Sequence, residues 1–170
     1  MNTLIKRMIG AARLDAQTYE EVEADPSTTA EAVFVVVAAS VAASIGIGVT
    51  DPSGLLGVTV GAMATWLVWV GLTYVIGTRL LPESQTRATI GEVLRTTGFS
   101  ASPGILRIFG FLPVVGWAIF FCVTIWMLFA FDVAVRQALD YAGSARAVLV
   151  CLLGWLIHGV LFFAFAVTAI

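Results

Sequence analysis

Eight polar or charged side chains stand out because they lie within or beside long apolar stretches of this chain. They are Glu92, Arg95, Ser100, Ser102, Arg107, Asp132, Arg136 and His158. A lone charge inside a membrane is costly, so such groups pair with one another, line a wet cavity or serve a function. We expect these residues to form an intramembrane polar network that either holds helices in register or carries an ion or a proton.

Arg95 and Asp132 are the predicted ion pair of this network. Arg95 lies about 10 Å from the expected start of its helix near residue 88, and Asp132 about 9 Å from the expected end of its helix near 138. Arg136, one turn after Asp132, can share the carboxylate. The pair is either a clamp between two helices or part of a proton relay. The clamp is favoured because a guanidinium does not release its proton.

Two further members of the network have no evident partner in the sequence. Arg107 lies near the opposite side of the membrane, where we expect it to snorkel to the surface or to reach Asp51. His158 is the only histidine and lies near the middle of the last apolar stretch. It is either a buried neutral side chain bonded to a hydroxyl or carbonyl, which is favoured, or a proton carrier.

The residue types predict no enzyme, no cofactor and no metal. One histidine excludes a two-histidine metal site, and HExxH, Walker and GxGxxG motifs are absent. Gly98-Phe99-Ser100-Ala101 matches only part of the GxSG motif of rhomboid-type serine proteases. Asp132 lies outside the GxGD motif of the membrane aspartyl proteases.

The composition places these residues in a membrane. Of 170 residues, 59% are hydrophobic and 12% charged, with a mean hydropathy of +0.98, whereas soluble domains carry about 25% charged residues. A soluble core of this size cannot hide so much apolar surface. The net charge of −2 and the lack of a basic run argue against nucleic acid as a partner.

Uncharged intervals predict four crossing helices, and topology adds a fifth. The intervals are 32–50, 52–78, 108–131 and 147–170. Between them, the longest uncharged stretch, 96–106, would extend only about 16 Å as an α-helix. A crossing by this polar segment nevertheless places most Lys and Arg residues on one side. We therefore predict an all-α bundle with crossing helices at about 29–50, 53–80, 88–111, 114–138 and 145–169.

The third of these helices is too polar to face lipid, so the other helices must surround it or it must line a wet cavity. Pro103, between Gly98 and Gly104, predicts a kink or break near 98–104. Gly57 and Gly61 form a GxxxG motif, and Ala38, Ala42 and Gly46 repeat at the same spacing. Small residues at this spacing allow close helix contacts. Packing within the chain is favoured, and a homodimer stays open.

Residues 1–27 are predicted to form a cytosolic amphipathic region ahead of the membrane domain, 28–170. Its apolar residues recur at helical spacing: Leu4, Ile5, Met8, Ile9 and Ala12. Lys6, Arg7 and Arg13 occupy the other face. Such a helix either lies on the membrane surface or packs under the bundle as a plug.

Four stretches of the chain resemble the prokaryotic branch of the Yip family, the Ypt/Rab-interacting multi-pass membrane proteins. They are RLDAQTYEEVEADPSTTAEA, GEVLRTTGFSASPGILR, VRQALD and LLGWL. The resemblance covers nearly the whole chain from about residue 11. It implies a five-helix membrane bundle with a cytosolic amino-terminal region. In eukaryotes the family acts in membrane traffic through Rab-type GTPases and partner Yip proteins, and no catalytic residues can be carried over from it.

These observations favour a non-enzymatic protein of the prokaryotic cytoplasmic membrane, with the amino end in the cytosol and the carboxyl end outside. It would organise or recruit partners through its cytosolic helix and the loops 79–91 and 136–146. The alternative is a small permease or lipid-handling protein whose third helix lines a path. The expected partners are membrane lipids and either another membrane protein or a second copy.

Overall fold

A computed structural model describes residues 3–168, and the side chains of residues 3–157, 159 and 160. Across this range the chain is all-helical and contains no strand, which confirms the all-α part of the predicted fold class. The α-helices are α1 Thr3–Ala12, α2 Ala16–Ala24, α3 Thr29–Gly46, α4 Pro52–Val75, α5 Ile90–Phe99, α6 Gly116–Ala138 and α7 Ser144–Thr168. The other helical pieces are a 3-10 turn Pro26–Thr28, a π-helical extension of α4 Ile76–Leu80 and a long 3-10 helix Ser102–Phe111.

Three helices of the described part are long and apolar enough to cross a membrane. They are Pro26–Gly46, Pro52–Leu80 and Gly116–Ala138. Large apolar side chains project from them without cover, such as Leu67 on α4 and Phe121 and Phe129 on α6. Apolar surface of this extent on helices of this length indicates an integral membrane protein.

The third segment, which we define as α5 and the 3-10 helix together (residues 90–111), runs beside α3 in the same direction. Three contacts occur in the same order along both: Gly98 with Ala32, Gly104 with Ala39, and the Arg107 carbonyl with Gly46. The contacts run from near the start of α3 to its end. The third segment therefore extends as far through the bundle as α3 does.

Helix α6 covers the other side of the third segment and runs in the opposite direction. Gly104 lies against Met127, and Gly110 against Phe120. Between α3 and α6, all residues from Val93 to Ser100 except Leu94 are buried. Neighbouring helices therefore surround the first part of this polar segment, as predicted, whereas Leu106, Phe109 and Phe111 near its end are exposed.

The third segment changes from an α-helix to a 3-10 helix near residue 100, within the range where a break was predicted. α5 ends at Phe99, and the 3-10 helix begins at Ser102, directly before Pro103. A 3-10 helix rises about 2.0 Å per residue instead of 1.5 Å. The two helices together are therefore about 35 Å long, enough for a hydrocarbon core of about 30 Å. The 3-10 winding of ten residues adds about 5 Å relative to an α-helix. The rest of the difference from the expected length of about 16 Å arises because the two helices extend beyond the uncharged stretch 96–106 on both sides.

The amino-terminal region forms two antiparallel helices, α1 and α2, which we call the hairpin. Leu14 takes a positive φ of 63° in its turn, and Asp15 caps α2 by accepting from the Gln17 N–H. A buried cluster packs the hairpin on the bundle: Ala11, Tyr19 and Val22 with Ala32, Val35, Phe99 and Ala134. Packing against the bundle is thus the better of the two interpretations, although Ile5 and Ile9 of the predicted apolar face remain exposed.

The small-residue motifs behave differently from one another. Gly46 lies directly on the carbonyl of Arg107. By contrast, a Cβ atom placed on Gly57 or Gly61 would meet no described atom within 4 Å. The prediction that the GxxxG motif serves packing within the chain stays a prediction, because no described side chain lies against Gly57 or Gly61.

Candidate functional site

A cleft of about 760 Å³ opens at the end of the bundle where α3 and α5 begin. It lies between the hairpin, the turn after α4 and the turn after α6. The lining residues are Glu20, Glu23, Ala24, Gln85, Glu92, Arg136, Gln137, Asp140 and Tyr141. Four carboxylates and one guanidinium face it, so we call it the acidic cleft.

A capping box places Glu92 in the acidic cleft. The Glu92 N–H donates to Thr89 Oγ1 at 3.3 Å, and the Thr89 N–H donates to Glu92 Oε2 at 2.7 Å. This reciprocal pair satisfies two N–H groups that the first turn of α5 would otherwise leave unbonded. The Thr-x-x-Glu spacing was a readable signal in the sequence that our prediction did not use.

The turn after α6 places Asp140 and Tyr141 against the end of α4. The Tyr141 hydroxyl donates to the carbonyls of Gly77 at 3.2 Å and Leu81 at 2.8 Å. Asp140 takes a positive φ of 52°, and its Oδ2 accepts from the Arg87 N–H at 3.4 Å. These bonds join the loops after α4 and α6 into one wall of the cleft.

Helix α2 forms the opposite wall, and its contact with α6 is polar. Gln137 Nε2 donates to Glu20 Oε1 at 2.9 Å, and Arg136 Nε donates to Gln137 Oε1 at 3.3 Å. Arg136 therefore lines the cleft instead of bonding to Asp132. Glu23 lies deeper, and burial, with the negative charges of Asp140 and Glu92, raises its pKa to about 7.

Arg95 lies below the cleft and holds the end of α2. Its side chain is 7% exposed. Its Nε donates to the carbonyls of Val22 at 3.0 Å and Glu23 at 3.1 Å, and its Nη2 also donates to the Glu23 carbonyl. The last carbonyls of a helix lack partners and carry partial negative charge, so a buried guanidinium suits them.

The predicted Arg95–Asp132 pair is wrong. The ion pairs of the described residues do not include it, because Arg95 turns to α2 instead. Asp132 lies on α6, and its Oδ1 is buried without a hydrogen-bond partner in the described part of the chain.

The hydroxyl groups of the third segment bond to the segment itself. Ser100 Oγ donates to the Thr97 carbonyl at 2.7 Å, and Ser102 Oγ donates to the Phe99 carbonyl at 2.6 Å. Trp66 Nε1 donates to Thr97 Oγ1 at 3.2 Å. The structure thus divides the predicted network: these serines satisfy local backbone groups, while Glu92 and Arg136 face the cleft.

Arg107 lies at the other end of the third segment. Its Nη2 donates to Thr124 Oγ1 at 2.8 Å, and its guanidinium lies over the Phe120 ring at 5.2 Å. Asp51 instead caps α4 by accepting from the Gly54 N–H at 2.7 Å. The predicted contact between Arg107 and Asp51 is therefore wrong, and the snorkelling of Arg107 stays a prediction. The His158 side chain lies outside the described residues.

A second charged cluster, which the sequence analysis did not foresee, ties the hairpin to α3. Arg7 pairs with Glu21 at 2.9 Å, Asp25 at 3.3 Å and Glu31 at 3.0 Å. The Arg7 side chain is only 12% exposed. A basic residue on α1 and an acidic run on α2 were visible in the sequence, but the turn that brings them together was not predicted.

The carboxylates of the acidic cleft line its walls without converging on one point. Among the described residues, no three His, Cys, Asp or Glu side chains lie close enough to hold a metal ion. The geometry therefore suits an extended cationic group, such as several basic side chains, better than a single metal ion.

Comparisons with protein-family models, with curated proteins and with solved structures give no match to this chain.

Proposed function

We propose that this chain is a non-enzymatic, five-pass protein of the prokaryotic cytoplasmic membrane that recruits a partner by binding a basic segment in the acidic cleft. The observation that carries the proposal is which parts of the chain form the walls of the cleft. The cytosolic helix and both loops that the sequence analysis singled out for partner binding contribute to this one cleft. Three separate parts of the chain thus present a single acidic surface.

The five-pass arrangement is supported by the direction of the third segment. It begins beside the start of α3 and ends beside the end of α3, while α6 returns on its other side. If α3 crosses the membrane, a third segment about 35 Å long can cross with it. The hairpin and the turns after α4 and α6 then share the side that carries most Lys and Arg residues, which is the cytosolic side.

Charge and size support a basic partner. A surface with four carboxylates and one guanidinium attracts cations and speeds their association. A cleft of about 760 Å³ is large enough for more than one side chain. Glu23 adds a dependence on pH, because its pKa of about 7 leaves it partly protonated near neutrality.

The resemblance to the Yip family also supports the acidic cleft as the binding surface. Segment 13–32 supplies the α2 wall, segment 91–107 supplies Glu92, and segment 135–140 supplies Arg136, Gln137 and Asp140. All cleft residues except Gln85 and Tyr141 come from these three stretches. Under this proposal, the stretches that carry the resemblance are those that build the binding surface.

The alternative function, a permease, is disfavoured by the third segment. A polar path needs hydroxyl and charged groups that face an open space. Here Ser100 and Ser102 bond to carbonyls of their own helix, and Arg95 is buried against α2. The hydrogen-bonding groups of these three side chains are therefore already bonded within the protein and do not line a path.

Crosslinking in native membranes tests the proposal. A photoreactive amino acid replaces Gln85 in the full chain, and we expect it to form an adduct with another protein. Glu20→Gln with Glu23→Gln removes the charge of Glu20 and the partial charge of Glu23 without changing side-chain size, so the adduct should weaken about tenfold. Asp51→Asn, which removes a carboxylate at the opposite end, should leave the adduct unchanged.

Two results would contradict this function. One is an adduct of equal strength in the Glu20→Gln/Glu23→Gln variant; the other is solute flux through the purified protein in liposomes. The topology is checked separately. Cysteines placed at positions 85 and 112 should react with impermeant reagents from opposite sides of the membrane, and labelling from the same side would reduce the passes to four.

A further inference from the structure

Arg107 carries a guanidinium that the carboxylates of this chain leave unpaired. None of the ion pairs among the described residues includes it. Its Nε is buried without a hydrogen-bond partner there, and its Nη2 donates to Thr124. A guanidinium has five N–H donors. The buried Nε cannot reach a ligand, so the two Nη groups, of which only Nη2 makes a hydrogen bond among the described residues, are the ones left to bind one.

The acidic residues of the chain lie elsewhere. Asp51, the carboxylate expected near Arg107, is occupied by the Ser53 hydroxyl and the Gly54 N–H, both at 2.7 Å. The acidic cleft lies at the other end of the third segment. An unpaired cation at membrane depth is costly. Among the described residues, no carboxylate therefore supplies the counter-charge for Arg107.

The surroundings hold the guanidinium in place. It lies over the Phe120 ring at 5.2 Å, and Thr124 Oγ1, which accepts its bond, donates to the Phe120 carbonyl at 2.7 Å. The ring and the hydroxyl both belong to α6. Arg107 is thus oriented before any ligand arrives, which lowers the entropy cost of binding.

An exposed stripe of α6 passes beside this guanidinium. Its members follow one another at helical spacing: Trp117, Phe121, Thr124 and Leu128. Trp117 is 74% and Phe121 61% exposed. Trp117 lies next to the turn that begins α6, where tryptophan side chains prefer the boundary between lipid and water. The stripe offers apolar contact on either side of one polar contact point.

We propose that Arg107 and Thr124 form a binding site for the phosphate group of an anionic phospholipid whose acyl chain lies along this stripe. Arginine binds phosphate through paired N–H donors. The 3-10 helix rises only about 10 Å from Arg107 to the turn at Leu112, and arginine side chains at such depths reach toward the headgroups. The proposal rests on the five-pass arrangement, since only then does the third segment lie beside lipid.

A lipid fits this site better than a carboxylate from a second membrane protein. The contact point is flanked by the exposed apolar side chains of Phe121 and Leu128, which suit an acyl chain. Phospholipid is also present at high concentration around every membrane helix, so even a weak site is occupied. The partner carboxylate is kept as an outcome of the test.

Native mass spectrometry of the full chain in detergent tests the site. The probes are dioleoyl phosphatidylglycerol and a galactosyl diacylglycerol with the same acyl chains and no phosphate. We expect the wild-type chain to retain the phosphatidylglycerol preferentially. Arg107→Leu should weaken its binding about tenfold, and Thr124→Val, which keeps the charge, should weaken it less. Arg79→Leu, which removes an exposed cation at the other end of α4, should have no effect.

Three outcomes would overturn the proposal. Equal binding of phosphatidylglycerol by the wild type, Arg107→Leu and Thr124→Val would show that these residues do not form a lipid site. Displacement of the lipid by millimolar inorganic phosphate would make free phosphate the ligand. A photoreactive residue at Phe121 in native membranes should give a lipid adduct, and a protein adduct instead would assign Arg107 to a partner helix.

The lipid site and the partner-binding cleft can fail independently of each other. The Gln85 crosslink should persist in Arg107→Leu, because the acidic cleft and Arg107 lie at opposite ends of the third segment. A variant that fails to fold loses both signals. Thr124→Val, which removes only the hydroxyl that orients the guanidinium, then carries the test alone.

Discussion

Arg95 and Arg107 belong to the same segment, yet the bundle treats them differently. Arg95 is buried at 7% exposure and bonds to the carbonyls that end α2. Arg107 bonds to one hydroxyl and keeps an unsatisfied buried Nε. Neither pairs with a carboxylate within the described residues. A buried arginine here is structural where the backbone supplies its acceptors, and it is open to a ligand where the backbone does not.

The largest expected difference in stability is between variants that remove the guanidinium of Arg95 and variants that remove that of Arg107. Arg95→Leu leaves the Glu23 carbonyl without its side-chain donor, while the Val22 carbonyl keeps the Thr28 hydroxyl at 2.9 Å. We expect the free energy of unfolding in detergent to fall by about 2 kcal/mol. Arg107→Leu should cost less than about 1 kcal/mol, because it also relieves an unsatisfied donor. Equal losses in chemical denaturation of the two variants would contradict the comparison. Arg95→Lys serves as the control that keeps a donor.

Glycine substitutions compare how tightly the two halves of the third segment are packed. A Cβ on Gly98 would lie 2.8 Å from the Ala32 Cβ and 3.1 Å from the Ala32 carbonyl oxygen. Gly98→Ala should therefore destabilise the protein by about 1–3 kcal/mol. Gly104→Ala should cost less, because the flexible Met127 side chain forms part of its contact at 3.1 Å.

Gly57 on α4, which lies against no described side chain, supplies the control for these substitutions. Gly57→Ala meets no described atom within 4 Å, and alanine favours the helix, so stability should rise by up to about 1 kcal/mol. Thermal melting of the three variants would rank them. A ranking in which Gly104→Ala is the most damaging would show that the 3-10 half is the tighter one.

A further contrast is a dependence of stability on pH at the Arg95 end of the third segment. The pKa of Glu23 is raised from 4.5 to about 7, so the folded protein holds this proton more tightly than the unfolded chain does. Stability from this group is present at low pH and is lost as the pH rises from about 4.5 to about 7. In Glu23→Gln, the unfolding midpoint should change less with pH over this range. In Arg107→Gln, the midpoint should depend on pH as it does in the wild type.

Much of the fold could be predicted from the positions of apolar and charged residues. The all-helical class, the apolar helices α3, α4 and α6, and the enclosure of the third segment follow from hydropathy and from the cost of exposing polar groups to lipid. The break near Pro103 follows from its missing N–H. The Thr89–Glu92 capping box was also readable, since its spacing is a local signal.

The partner of Arg95 and the 3-10 winding could not be predicted in the same way. Backbone carbonyls are present at every residue, so nothing in the sequence marks those of Val22 and Glu23 as acceptors. They become acceptors only because α2 ends there and the hairpin packs on Phe99. The 3-10 winding likewise coincides with the close contacts of Gly98 and Gly104 on α3, which are tertiary and leave no period in the sequence.

The position of the third segment between α3 and α6 sets an order for biosynthesis. The ribosome completes α3 before this segment, but α6 only after it. A nascent chain that stops before Gly116 has α3 beside this segment but lacks the Thr124 hydroxyl and the Phe120 ring that hold Arg107. Under the proposed five-pass arrangement, we expect the translocon to hold residues 90–111 at its exit until α6 has followed, so that this pass inserts cooperatively with the next one.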